Sequence, residues 1–284
     1  MERRRLLWAC AAVALLATCL SSSHAAIILN EIFVNPAGTD NGREFIELRS
    51  TTDGVEAMSG LTLLVIEGEG TAAGIVDQAL SLGAFSTGTN GLFLWRDSAT
   101  VLSPTLAAAT TLNVADFSPD IENGTQTYVL VDGFSGAIGT DYDADDNGAL
   151  DSTPWSSVLD AVGYIDNSGG AEFSYAAGLG GVSFPMLPAG FDPEAVLREN
   201  DLMGNPYDWL VADVQSASPT NGPFALDGSE LLRPDGSTQN IASLSFDTLS
   251  PGNANQSIPE PSTVVLAGLA LVGMVAGRRV RIVG

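Results

Sequence analysis

Between Asp141 and Asp151 the chain carries acidic side chains at spacings that suit a hard cation. Read from Asp143, the run Asp143-Ala144-Asp145-Asp146-Asn147-Gly148-Ala149-Leu150-Asp151 puts acids at loop positions one and three. Asn follows at five, Gly at six, an apolar residue at eight and an acid at nine, the order of an EF-hand-type calcium loop. Calcium takes roughly six to eight oxygens, and alternate residues of a tight turn can supply them if a glycine permits the turn. The candidate metal ligands are the side chains of Asp141, Asp143, Asp145, Asn147 and Asp151, with Ala149 contributing its carbonyl. The twelfth position is Pro154 rather than a bidentate glutamate, so a closing ligand has to come from Asp141 or Asp160. No helical pattern flanks the loop, so the expectation is an isolated calcium loop that stiffens a connection between strands. The plain alternative is a solvated loop in an acidic protein.

Little else in the sequence supports catalysis. Cys10, Cys19 and His24 all fall within the first 26 residues, and the chain contains no lysine. Serine triads, zinc sites and Schiff-base chemistry therefore lack their residues in the remainder. A carboxylate pair of the glycosidase kind is still available. Glu31, Glu44 and Glu47 are its candidates, although pairing with Arg43 and Arg49 or exposure at strand edges is the expected role. Trp95, Trp155, Trp209 and Tyr207 are read as core aromatics before a sugar-binding platform. No catalytic residue is assigned, and the chain is read as non-enzymatic. A carbohydrate-binding module and a carboxylate-dependent glycoside hydrolase are the alternatives.

Charge narrows the partners. Removing Glu2 and Glu260 from the 34 acids leaves 32 between the two end segments, against five arginines, a formal charge of −27. Such a surface repels phosphate backbones, so nucleic acid is not an expected partner.

The elements that must position these residues read as strands. Short apolar runs recur at Ile27–Val34, Glu44–Leu48, Leu61–Ile66, Gly91–Trp95, Thr127–Val131, Val158–Tyr164 and Trp209–Val214. They are rich in Val, Ile, Leu and aromatics and are separated by turn residues, with 31 glycines and 14 prolines in the chain. That pattern predicts an all-β sandwich or barrel. Only Pro193–Glu199 suggests a turn or two of helix. In Arg43–Arg49 the alternation is partial, with Glu44, Ile46 and Leu48 on one face and Phe45 and Glu47 on the other.

Both ends carry export features. Arg3, Arg4 and Arg5, an apolar stretch from Leu6 to Leu20, and Ser23-His24-Ala25 read as a signal peptide cleaved near Ala25 or Ala26. Near the other end, Val264 to Gly277 is a small and apolar run, read as a transmembrane helix although short for a bilayer core of about 30 Å. Arg278, Arg279 and Arg281 follow it and favour a cytoplasmic C-terminus, with the folded domain outside.

Two resemblances rest on these residues. Ile28-Leu29-Asn30-Glu31-Ile32, Asn35-Pro36 and Glu44-Phe45-Ile46-Glu47-Leu48 resemble the opening of a lamin-tail domain. Val158–Tyr164 and the closing Ser250-Pro251-Gly252-Asn253-Ala254-Asn255 resemble its later motifs, while Leu61 stands where that family has Trp. The resemblance implies an immunoglobulin-like (lamin-tail-type) β-sandwich with a non-catalytic role. It is placed at 27–250, either as one elaborated sandwich or as a sandwich with an extension after about residue 165. Pro259-Glu260-Pro261-Ser262, the apolar run and the arginine cluster resemble a PEP-CTERM sorting signal at 259–284, with 251–258 as an exposed linker. That resemblance implies recognition by an exosortase, processing near Pro259-Glu260-Pro261, and a Gram-negative host that makes exopolysaccharide. The expected partners are therefore an exosortase, the membrane and exopolysaccharide. The expected location is the inner membrane at first, then the cell surface or matrix.

Overall fold

Ile27-Ile28-Leu29-Asn30-Glu31-Ile32-Phe33 is too apolar for a strand with one wet face, and in the computed structural model every residue of it is buried. The structure describes residues 27–253, except 37–41, 101, 103, 192, 200–208, 215–223 and 245–246. The expected signal peptide, the expected C-terminal helix and the sorting segment lie outside the described residues.

Twelve strands are described: β1 (Ile27–Phe33), β2 (Phe45–Ser50), β3 (Leu61–Glu67), β4 (Val76–Ser81), β5 (Leu92–Arg96), β6 (Thr111–Val114), β7 (Gln126–Asp132), β8 (Ser157–Ile165), β9 (Val182–Met186), β10 (Ala195–Arg198), β11 (Trp209–Val214) and β12 (Leu226–Leu232). They form two sheets, one ordered β12-β11-β10-β1-β2-β5-β6 and the other β4-β3-β7-β8-β9. Neighbours are antiparallel except β5 with β6 and β8 with β9. Helix among the described residues is limited to short 3-10 turns such as Gly70–Ala72 and Ala177–Leu179. The fold is all-β, as the sequence predicts.

Each sheet buries both faces. The inner faces meet in one core, where Ile32, Ile46, Phe93 and Val196 pack with Leu63, Val65, Tyr128 and Val162. The outer face of the larger sheet, including Phe33, Phe45 and Leu197, is covered by Phe224, Leu249 and Leu106. The outer face of the smaller sheet, including Leu64, Val129 and Ala161, is covered by Tyr142, Tyr175 and Phe173. Double burial explains the blurred alternation in β2, where Phe45 and Ile46 are both fully buried. A register shift in β1 between Leu29 and Glu31 adds to it. Before the shift Ile27 and Leu29 face the inner core, and after it Ile32 and Val34 do.

Pro193–Glu199 is where expectation and structure part. Its Ala195-Val196-Leu197-Arg198 is strand β10, paired between β1 and β11. All four residues are buried, so ladder pairing and two-sided packing outweigh any local helical preference. The edges of the smaller sheet are protected. Pro185 sits in β9, an edge strand, where a missing N–H costs no ladder bond. On edge strand β4, Val76 exchanges backbone bonds with Thr140 and Gly139.

Candidate functional site

The acidic loop belongs to the cover over the smaller sheet. Its start is fixed by a bridge between Ile75 and Asp141 and by the Tyr142 N–H on the carbonyl of Gly74. Its end is fixed by the Asp151 N–H on the carbonyl of Tyr142 at 2.6 Å. Leu150, at loop position eight, packs into the outer core beside Tyr142. Gly148, at position six, has φ +84°, the left-handed geometry expected of a glycine at that point.

Carboxylate oxygens of Asp143, Asp145 and Asp151 lie within 4.8 Å of one another. Calcium–oxygen distances are about 2.3–2.6 Å, so that spacing can surround one ion. Asp143 is buried and held from three sides. Its Oδ1 accepts the Asn147 N–H at 3.1 Å, and its Oδ2 accepts the Gly148 N–H and the Tyr175 hydroxyl, each at 2.8 Å. Burial works against its charge, but these donors prevail and hold the carboxyl below its ordinary range. The Tyr175 hydroxyl is pushed up by burial and by Asp143.

The other predicted ligands are placed differently. Asp141 Oδ1 accepts the Asp143 N–H at 2.8 Å and stands outside the converging group. Asn147 Oδ1 accepts the Ala149 N–H at 2.9 Å. Asp160, offered as a closing ligand, is instead ion-paired with Arg198 at 2.8 Å. It is an inward residue of β8 and bridges the two sheets. Tyr175 is a supporting residue that the sequence did not signal, because it lies 32 positions from Asp143. Gly74 is another, since a Cβ there would stand 2.6 Å from the Asp143 backbone nitrogen.

The glutamates expected at strand edges are buried. Glu31 and Glu47 are paired across β1 and β2 on the outer face of the larger sheet, and neither is exposed. Glu31 accepts the Ser250 N–H at 3.0 Å, and Glu47 accepts the Gly252 N–H at 2.6 Å and the Asn30 amide. Glu44 accepts the Ile121 N–H at 3.0 Å. These carboxylates therefore seat backbone segments. Pro251 and Gly252, expected in the exposed linker, are buried beneath this arrangement. The folded part thus runs to at least Asn253. Trp209 is fully buried with the Arg198 guanidinium 4.1 Å from its ring centroid, a core role. Trp95 is half-buried and donates to the carbonyl of Ala115. Tyr207 lies outside the described residues.

The family comparison speaks to the C-terminal segment. A family model described as the PEP-CTERM protein-sorting motif matches residues 257–281. The match contains Pro259, Glu260, Pro261, Ser262, Arg278, Arg279 and Arg281. The motif implies export, membrane anchoring through the C-terminus and processing by an exosortase. No curated protein and no solved structure matches the chain.

Proposed function

We infer that the chain is an exported, non-enzymatic surface protein that serves a structural or adhesive role in the envelope or exopolysaccharide matrix. The observation that carries this reading is the sorting-motif match at residues 257–281, directly after a folded all-β domain. The C-terminal helix holds the protein in the inner membrane until an exosortase processes it near Pro259-Glu260-Pro261. The domain is of lamin-tail type. Support comes from a contact between the two ends of that resemblance: Glu31 and Glu47 of the opening motifs hold Ser250 and Gly252 of the closing motif.

Calcium bound by Asp143, Asp145 and Asp151 is part of the reading. Three carboxylates at that spacing repel one another unless a cation joins them. The ion would brace the cover of the smaller sheet and carries no chemical step. The hydrolase alternative has less support, because Glu31, Glu44 and Glu47 are buried and occupied by backbone N–H groups.

The test compares the full chain with one truncated after Ser257, each in a host with and without its exosortase. The full chain is expected to stay membrane-bound only where the enzyme is missing, and the truncated chain to leave the cell in both hosts. Identical distribution of the two chains in both hosts would overturn the sorting reading.

A further inference from the structure

The first strand begins at the wall of a cleft. Ile27, Leu61 and Leu159 line an opening of about 500 Å³ together with two acids, Glu56 and Asp132. Among the described residues no basic side chain lines it. Four of the five arginines between the end segments have partners away from it, Arg49 with Asp53, Arg198 with Asp160 and Arg233 with Glu199 among them. Arg96 donates to the carbonyls of Asp97, Ser98 and Thr100. The cleft therefore holds negative charge with an apolar floor and no cation among its described lining.

Signal removal adds a cation of a different kind. The sequence contains no lysine, so after signal removal the only primary ammonium is the new N-terminus. Cleavage near Ala25 or Ala26 puts that nitrogen on Ala26 or on Ile27 itself. An extended residue spans about 3.3–3.6 Å, so the nitrogen starts at most one residue from the cleft wall. We propose that the α-ammonium group created by signal removal docks in this cleft against the carboxylates of Glu56 and Asp132. The proposal rests on the signal-peptide reading.

The chemistry fits the occupant. An ammonium has three donors, and Glu56 spends only Oε1 on the Thr52 hydroxyl among its described bonds. Docking ties the start of β1 to Asp132, the last residue of β7, and to the segment that enters β3. The tie exists only once the leader is gone, so removal of the leader tightens the fold.

Because no lysine competes, an amine-reactive reagent reads this group alone. The protein recovered from the cell surface is labelled at pH 7 in its native state and in urea, beside Asp132→Asn and Glu56→Gln. An ion-paired ammonium has a pKa above the usual value of about 7.7–8.0, and half a unit corresponds to about threefold slower labelling. The native protein is expected to label about threefold slower than either variant, with all three alike in urea. Equal native rates in wild type and variants, or equal native and urea rates in the wild type, would overturn the docking. The intact mass separates the causes. Retention of residues 1–25 overturns the signal reading and the proposal together, whereas a processed chain with unchanged labelling overturns the docking alone.

Discussion

Glu31 and Glu47 face one another across β1 and β2, fully buried, and between them hold the backbone of Ser250 and Gly252. Burial pushes Glu31 up from 4.5 to about 8, and burial together with Glu31 raises Glu47. Two adjacent buried carboxyls cannot both ionise cheaply, so the pair retains a proton that the unfolded chain releases. Burial also pushes Glu67, on β3, up to about 8. A group with a raised folded pKa stabilises fully below its unfolded value and loses that contribution as pH rises through the folded value. Stability is therefore expected to fall between pH 5 and pH 9, by on the order of 2 kcal/mol or more. Urea midpoints across that range check it. Glu31→Gln, which mimics the protonated member, is expected to flatten the fall, and a midpoint that rises with pH contradicts the assignment.

Arg198 and Asp160 join the two sheets. The Arg198 Nη2 lies 2.9 and 2.8 Å from the two Asp160 oxygens, and its Nε donates to the carbonyl of Leu29 at 2.9 Å. Removing one member of a buried pair strands the other, at about 3–5 kcal/mol. Arg198→Met and Asp160→Asn are each expected to destabilise by about 3 kcal/mol, and the double variant by clearly less than the sum. Denaturant unfolding of the four proteins measures the coupling, and simple additivity would show that the pair is not acting as a unit.

Gly252 and Gly139 share nearly the same backbone conformation, φ +73° and +75°. A Cβ at Gly139 meets open space, whereas one at Gly252 would stand 1.9 Å from Leu106 Cδ1. Gly139→Ala is expected to cost about 1 kcal/mol for the left-handed backbone alone. Gly252→Ala adds a contact that the end of the Leu106 side chain must turn away from, beside an N–H held by Glu47, so its loss of stability should be the larger of the two. Equal losses would mean that the segment yields without consequence.

The acidic loop predicts a calcium response. Ligand binding to the folded state alone raises stability by about 2.7 kcal/mol at a hundredfold excess over Kd. Calcium is expected to raise Tm, and Asp145→Asn to abolish most of the rise. Asp141→Asn should keep it, because Asp141 holds the Asp143 N–H and not the converging group. Thermal unfolding with calcium and with chelator reads this directly, and no shift with millimolar calcium would remove the ion from the account.

Seven apolar runs in the sequence mark seven of the strands, because each has enough Val, Ile, Leu or aromatic residues to stand out locally. The local sequence suggests a helical turn at β10, since four residues carry no period of their own and the pairing with β1 comes from far along the chain. The roles of Glu31 and Glu47 were hidden for the same reason, as their partners lie 219 and 205 positions away. In the acidic loop, ligand spacing within nine residues was legible, whereas the Tyr175 support was not. Pro251 and Gly252 fall in the expected linker, yet the N–H groups of Ser250 and Gly252 are what the buried carboxylates require.

Because the folded part runs through at least Asn253, cleavage near Pro259 leaves the segment and its two carboxylates intact. The decisive measurement is the intact mass of the protein released from the cell surface. A folded chain that begins near Ala26 and ends near Pro259-Glu260-Pro261, without Arg278, Arg279 and Arg281, is expected. A chain that still reaches Gly284, or one found only inside the cell, would contradict it.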